Sequence, residues 1–143
     1  MKQEDKELLL KDLCSRLPYE VKIKFVPNET IKDIIYVIDG EYSYIPSNYT
    51  ILNEENIKYL FNGYWKEYKP YLFPLSSMTE EQKQYLKNRF CYDWDGEPYE
   101  LWKYQIEIGD ADELIDWFHE NHIDYRCLIP KGLALDASGL NIY

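Results

Sequence analysis

Two histidines and a cysteine are the residues of this chain best suited to chemistry, and their spacing limits what that chemistry can be. His119 and His122 stand three residues apart, near enough on one helix to share a zinc ion, with Asp116 one turn earlier. The run His119-Glu120-Asn121-His122 is not the HExxH pattern of zinc hydrolases. Two imidazoles near a helix C-terminus are also what the helix dipole favours, so no metal site is expected. Cys127 follows His122 by five residues, with Asp124 between them. A thiolate nucleophile needs a base that only the fold could bring to it, and a buried structural thiol is commoner.

Other chemistries fail on spacing. Asp93-Trp94-Asp95-Gly96-Glu97 suggests a calcium loop, but position 6 counted from Asp93 is Pro98 and position 12 is Tyr104, where such a loop needs glycine and glutamate. A hairpin turn at Asp95-Gly96 accounts for the same residues. There is no GxSxG elbow and no GxGxxG or P-loop, and Lys131-Gly132 has the reverse order of the phosphate-binding pair. Acids abound, but abundance says nothing of the geometry that glycoside chemistry needs. The expectation is a protein that is not an enzyme and uses no cofactor.

The charge carries more information. The chain has 143 residues and a net charge of −10. Residues 93–124 hold eleven acids and one base, Lys103, so that segment alone equals the net charge of the whole. Asp112, Asp116 and Glu120 are spaced i, i+4, i+8 and form a carboxylate ladder on a helix, rising about 6 Å per step. Like charges at this spacing cost roughly 0.2–0.5 kcal/mol each, and no Lys or Arg on the helix offsets them. Two readings are open: a solvated face that keeps a protein soluble, or a surface for a cationic partner. Fourteen of the 24 aromatic residues fall between Tyr59 and Tyr104, and tyrosine and tryptophan serve either a core of large side chains or an interface.

The elements that must position these residues follow from pattern. Asp5 to Leu17 is helical, with Leu9, Leu10, Leu13, Cys14 and Leu17 as its stripe and Pro18 as its stop. Val21, Ile23 and Phe25 alternate as a strand, Pro27 to Thr30 reads as a turn, and Ile31 to Ile38 and Glu41 to Ile45 read as strands joined at Asp39-Gly40. Asn53 to Asn56 caps a short helix ending at Gly63. Tyr64 to Pro74, with two prolines, reads as an extended connection. Thr79 and Gln82 form a capping box for a helix to about Phe90. Trp102 to Ile108 alternates as a strand broken by Gly109, and Asp110 starts a helix to about Asn121 whose inward stripe is Leu114, Ile115, Trp117 and Phe118. The tail, Asp124 to Tyr143, reads as short extended pieces on the core edge. The expected fold is a single α+β domain over residues 1–143, an antiparallel sheet from the early meander plus a later strand, covered by three to four helices.

Composition bounds the setting. A strongly acidic chain is a poor ligand for nucleic acid or an anionic membrane, and no apolar run approaches the roughly 18 residues of a membrane span. The N-terminus is charged on both sides of Leu8 to Leu10, which fits no secretory signal. Cys14, Cys91 and Cys127 form no CxxC pair, so reduced, mostly buried thiols in a cytoplasmic protein are expected.

Three blocks carry a resemblance: Asp5-Lys6-Glu7-Leu8-Leu9-Leu10-Lys11-Asp12-Leu13 with the following Leu17-Pro18-Tyr19; Lys69-Pro70-Tyr71-Leu72-Phe73-Pro74-Leu75-Ser76-Ser77-Met78-Thr79-Glu80-Glu81; and Asp124-Tyr125-Arg126-Cys127-Leu128-Ile129-Pro130-Lys131-Gly132-Leu133-Ala134-Leu135. They resemble small acidic proteins encoded on mobile elements and prophages of gut bacteria, a group with no assigned activity from which no catalytic residue carries over. Residues between about 83 and 108 have no counterpart in it. Glycine is usual where Cys127 stands, so the resemblance implies that this position needs no left-handed backbone and that Cys127 is not a family nucleophile. It also implies a protein that binds a host or defence component.

The functional expectation is a non-enzymatic binding protein. Its candidate surface is Asp93, Trp94, Asp95, Glu97, Tyr99, Glu100 and Trp102 together with Asp112, Asp116 and Glu120, presented to a basic partner protein. One alternative is an inhibitor that imitates nucleic acid, since a 6 Å ladder step is compatible with skipping every other phosphate of a strand spaced at about 3.4 Å. Another is a small hydrolytic or nucleotide-processing enzyme, which would need a deep pocket holding His119, His122 or Cys127.

Overall fold

Leucines at helical spacing open the chain, and the first helix, α1, spans Gln3–Arg16. The structure, a computed structural model, describes residues 1–27, 36–38, 41–43, 50–63, 65–90 and 108–143. The inward arc of α1 is Leu9, Asp12, Leu13 and Arg16, the i, i+3, i+4, i+7 set of one face. The expected stripe is therefore offset, with Leu10 and Leu17 half-buried and Cys14 exposed. Cys14 lies about 100° around the helix from Leu13, which brings its thiol out to solvent, against expectation. Two charged side chains go inside instead: Arg16 Nε donates to Asp12 Oδ2 at 2.7 Å, one turn away.

The chain falls into two compact units, Met1–Tyr71 and Leu72–Tyr143. In the first, Val21, Ile23 and Phe25 are buried and alternate with half-buried lysines, as strand β1 (Lys22–Pro27) demands. Strands β2 (Tyr36–Ile38) and β3 (Glu41–Ser43) pair antiparallel with Ile38 opposite Glu41. Residues 39–40 and 28–35 lie outside the described residues. β2 and β3 form their own two-stranded sheet. The neighbours of β1 come from further along the chain than a simple meander would place them: β4 (Thr50–Ile51) and β5 (Trp65–Pro74), both antiparallel to it.

The segment read as a connection is thus the ten-residue strand β5. Its prolines suggested a break because proline donates nothing to a ladder, yet Pro70 is buried opposite Ile23 and Pro74 closes the strand. Tyr68, Pro70 and Leu72 alternate inward, and the Tyr68 ring meets Phe25 edge-on at 5.5 Å. Lys24 faces Lys69 directly, a like-charge pair, and Glu67 on the diagonal offsets it with a 3.0 Å ion pair that raises the Lys24 pKa.

Helix α2 (Ile57–Asn62) opens as expected from Asn53. The two asparagines serve each other: Asn53 Oδ1 accepts the Asn56 amide at 2.8 Å, and Asn56 Oδ1 accepts the Asn53 amide at 3.0 Å. Gly63 ends the helix at φ 70°, and its amide donates to the Tyr59 carbonyl at 3.2 Å, a left-handed cap that glycine adopts without a Cβ penalty.

In the second unit, the end of β5 pairs in parallel with β6 (Ile123–Asp124), Phe73 beside Ile123. The Ala137 amide donates to the Leu72 carbonyl at 2.8 Å, next to strand β7 (Leu135–Asp136), which also pairs with β5. Helix α3 (Glu80–Phe90) carries the expected capping box: the Gln82 amide donates to Thr79 Oγ1 at 3.1 Å, and the Thr79 amide donates to Gln82 Oε1 at 2.9 Å. Helix α4 spans Ile108–Glu120. It therefore takes in Ile108 and Gly109, read as strand end and breaker; residues 101–107 of the expected strand lie outside the described residues. The core here is Leu75, Met78, Leu86, Leu114, Phe118 and Ile123, closed by Tyr125. The class is α+β as expected, with four helices among the described residues, an antiparallel order β4-β1-β5 in the first unit and a parallel pair of β5 with β6 in the second.

Candidate functional site

The described half of the expected surface is α4. Leu114, Phe118 and His119 are buried, and Ile115 and Trp117 are half-buried against the core. That stripe leaves Asp112, Asp116 and Glu120 exposed, as expected. Each step of four residues drifts about 40° around a helix, so the ladder is a broad acidic flank and not a straight line. Glu113 is also exposed, but Arg89 of α3 bonds to it and takes its charge out of the field.

Asp93, Trp94, Asp95, Glu97, Tyr99, Glu100 and Trp102, with the Asp95-Gly96 turn and Cys91, lie outside the described residues. The far end of the acidic segment is not exposed as the α4 acids are. Asp124 is 3% exposed and turns inward. Its Oδ1 accepts the Leu128 amide and its Oδ2 the Ile129 amide, both at 2.8 Å. Two backbone donors in the turn after β6 need an acceptor, and the carboxylate supplies both bonds. Its charge holds the chain's own backbone and is not offered to a partner.

The two imidazoles point to different neighbours. His119 is buried with Nε2 2.8 Å from the Tyr125 hydroxyl, and that hydroxyl oxygen accepts from Arg126 Nε at 3.0 Å. His122 adopts φ 56° and stacks on Tyr143 with ring centroids 3.8 Å apart. Among the described residues no group of three or more His, Cys, Asp or Glu is arranged to hold a metal ion. The burial of His119 was not legible in the stripe, although its position one residue after Phe118 puts it beside the apolar arc.

Cys127 has φ 58°. The position does take the left-handed backbone, contrary to what the resemblance implied, and a glycine there would relieve a Cβ crowding that the cysteine accepts. Burial pushes the Cys127 thiol up, the Asp124 charge pushes it further, and Lys131 pulls it down. The two larger effects both work against the thiolate form that a nucleophile needs.

The aromatic belt divides. Tyr68 is core, Tyr59 and Tyr71 are half-buried, and Phe61 and Tyr85 are exposed. Tyr85 stacks on Trp117 of α4, with centroids 5.6 Å apart and planes 18° from parallel, and Phe90 meets it edge-on at 6.4 Å. Sequence spacing places Tyr85 and Trp117 on separate helices and could not pair them. No described helix is long and apolar enough to cross a membrane. Comparison with protein-family models, with curated proteins and with solved structures returns no match.

Proposed function

We propose that this chain is a non-enzymatic binding protein of the cytoplasm that offers the acidic flank of α4 to a basic partner protein. The observation that supports it is the segregation on that helix. Leu114, Phe118 and His119 turn inward, Asp112, Asp116 and Glu120 turn outward, and the helix carries no Lys or Arg. Solubility alone is served as well by mixed charges, whereas carboxylates of one sign build a potential that steers a cationic surface. Like-charge repulsion on the helix is the cost of that potential. The resemblance to small acidic proteins of mobile elements and prophages favours a host or defence component as the partner. A flank of this sign repels phosphate backbones.

The test is a pull-down with the tagged chain, identification of what it retains, and repetition across salt concentrations and with Asp112→Lys, Asp116→Lys and Glu120→Lys combined. A basic partner, released as salt screens the contact and not retained by the triple variant, is the expected result. Retention of the same partner by the triple variant at the wild-type level sinks the reading. Release of the partner by added duplex DNA would mark the flank as an imitation of phosphates.

A further inference from the structure

Helices α3 and α4 meet through two matched rungs. Arg89 bonds to Glu113, and one turn away Tyr85 stacks on Trp117. As the number rises on α3 it falls on α4, so the two helices run antiparallel. The first rung is a complete recognition unit: the Arg89 guanidinium is held by the Glu113 carboxylate and lies 5.0 Å from the centre of the Phe90 ring. The second rung has the same ingredients without the cation. Glu81 lies one turn before Tyr85 and Glu120 one turn after Trp117, and because the helices are antiparallel both fall on the same side of the stack. Both are exposed, and neither has an ion pair among the described residues. Tyr85 keeps 45% of its surface open, and among the described residues no cation faces Tyr85 or Trp117.

We propose that the Tyr85–Trp117 stack is the anchor for an arginine of the partner, whose guanidinium lies over the open part of Tyr85 and bonds to Glu81 or Glu120. The occupant follows from charge complementarity: a flat aromatic surface bordered by carboxylates that have no ion pair among the described residues suits a flat cation that stacks and is weakly hydrated. Arginine meets that description and lysine, a compact and strongly hydrated point charge, does not. The inference rests on the reading of α4 as an acidic docking surface and adds the residue that the surface selects.

The experiment titrates the full chain with a short peptide of alternating arginine and glycine and with its lysine counterpart, by calorimetry at low salt. Wild type is expected to bind the arginine peptide more tightly. Tyr85→Leu, which keeps an apolar contact to Trp117 and removes the ring, is expected to weaken arginine binding roughly two- to tenfold and to erase the preference. Tyr85→Phe keeps both ring and preference, which separates loss of the ring from damage to the fold. Equal binding of the two peptides by wild type, or a preference that survives Tyr85→Leu, overturns the anchor and leaves the acidic-surface reading standing. If neither peptide binds wild type, the acidic-surface reading falls and the anchor with it.

Discussion

Arg16 reaches back one helical turn to Asp12, Nε to Oδ2 at 2.7 Å, and neither side chain touches solvent. Taking both charges out of water is costly, and their attraction repays it only while both are present. Asp12→Ala should therefore lower unfolding stability by about 3–5 kcal/mol, and Asp12→Leu combined with Arg16→Met should recover most of that loss. Urea unfolding of the three chains checks it. A double variant no better than the single one would mean that the pair stabilises the fold beyond its apolar equivalents.

Asp124 serves two amides at once. Removing its carboxylate with Asp124→Ala leaves both donors without an acceptor, at a cost of about 2–4 kcal/mol, while Asp124→Asn keeps one bond and about half of the stability. Hydrogen exchange at the Leu128 and Ile129 amides should accelerate in the alanine variant. Unchanged protection there would disprove the role assigned to the side chain.

Thr79 and Gln82 close the first turn of α3 reciprocally. Thr79→Ala should cost about 1 kcal/mol and Thr79→Ser almost nothing, because serine supplies the same oxygen. Thermal melts in parallel decide it.

The left-handed backbone at Cys127 sets a steric rule. Cys127→Gly should stay within about 1 kcal/mol of the parent, since relief of the Cβ contact is offset by a freer unfolded chain. Cys127→Val, branched at Cβ, should destabilise by about 1–2 kcal/mol. Equal urea midpoints for the glycine and valine variants would contradict the backbone assignment.

The same thiol makes a pH prediction. Burial first and Asp124 second raise its pKa, against Lys131. The folded chain then holds this proton more tightly than the unfolded chain does. The stabilisation is complete below the ordinary cysteine value of about 8.5 and is lost as pH rises through the raised value. In a Cys14→Ser, Cys91→Ser background, iodoacetamide labelling of Cys127 should begin at a higher pH than labelling of a free thiol. Lys131→Gln should move that onset higher still.

What could be read from the residues was local. Thr79 and Gln82 sit within one turn, as do Asn53 and Asn56, so their caps follow from spacing alone. The exposed flank of α4 was legible because Leu114 and Phe118 set a period that the acids avoid. β5 was misread because Pro70 and Pro74 speak against a strand locally, while β1, some forty residues earlier, holds the strand in place. The burial of Asp12 and Arg16 is not legible, since nothing in their types reveals that the inward arc of α1 passes through both. Asp124 counts as one more acid of the 93–124 segment because its partners, two backbone amides, have no residue signature. The stack of Tyr85 on Trp117 depends on how α3 and α4 meet, which no period within either helix encodes.

The two rungs of that meeting are unlike each other, and this tells one alignment from its neighbours. Slide α4 one turn along α3 in one direction and Tyr85 would face Glu113 while Arg89 faced Gly109. Slide it the other way and Tyr85 would face Asn121 while Arg89 faced Trp117. Each misalignment forfeits both the ring stack and the charge pair together, so beside the core contacts of Leu86, Leu114 and Phe118 the two couples are matched in only one alignment.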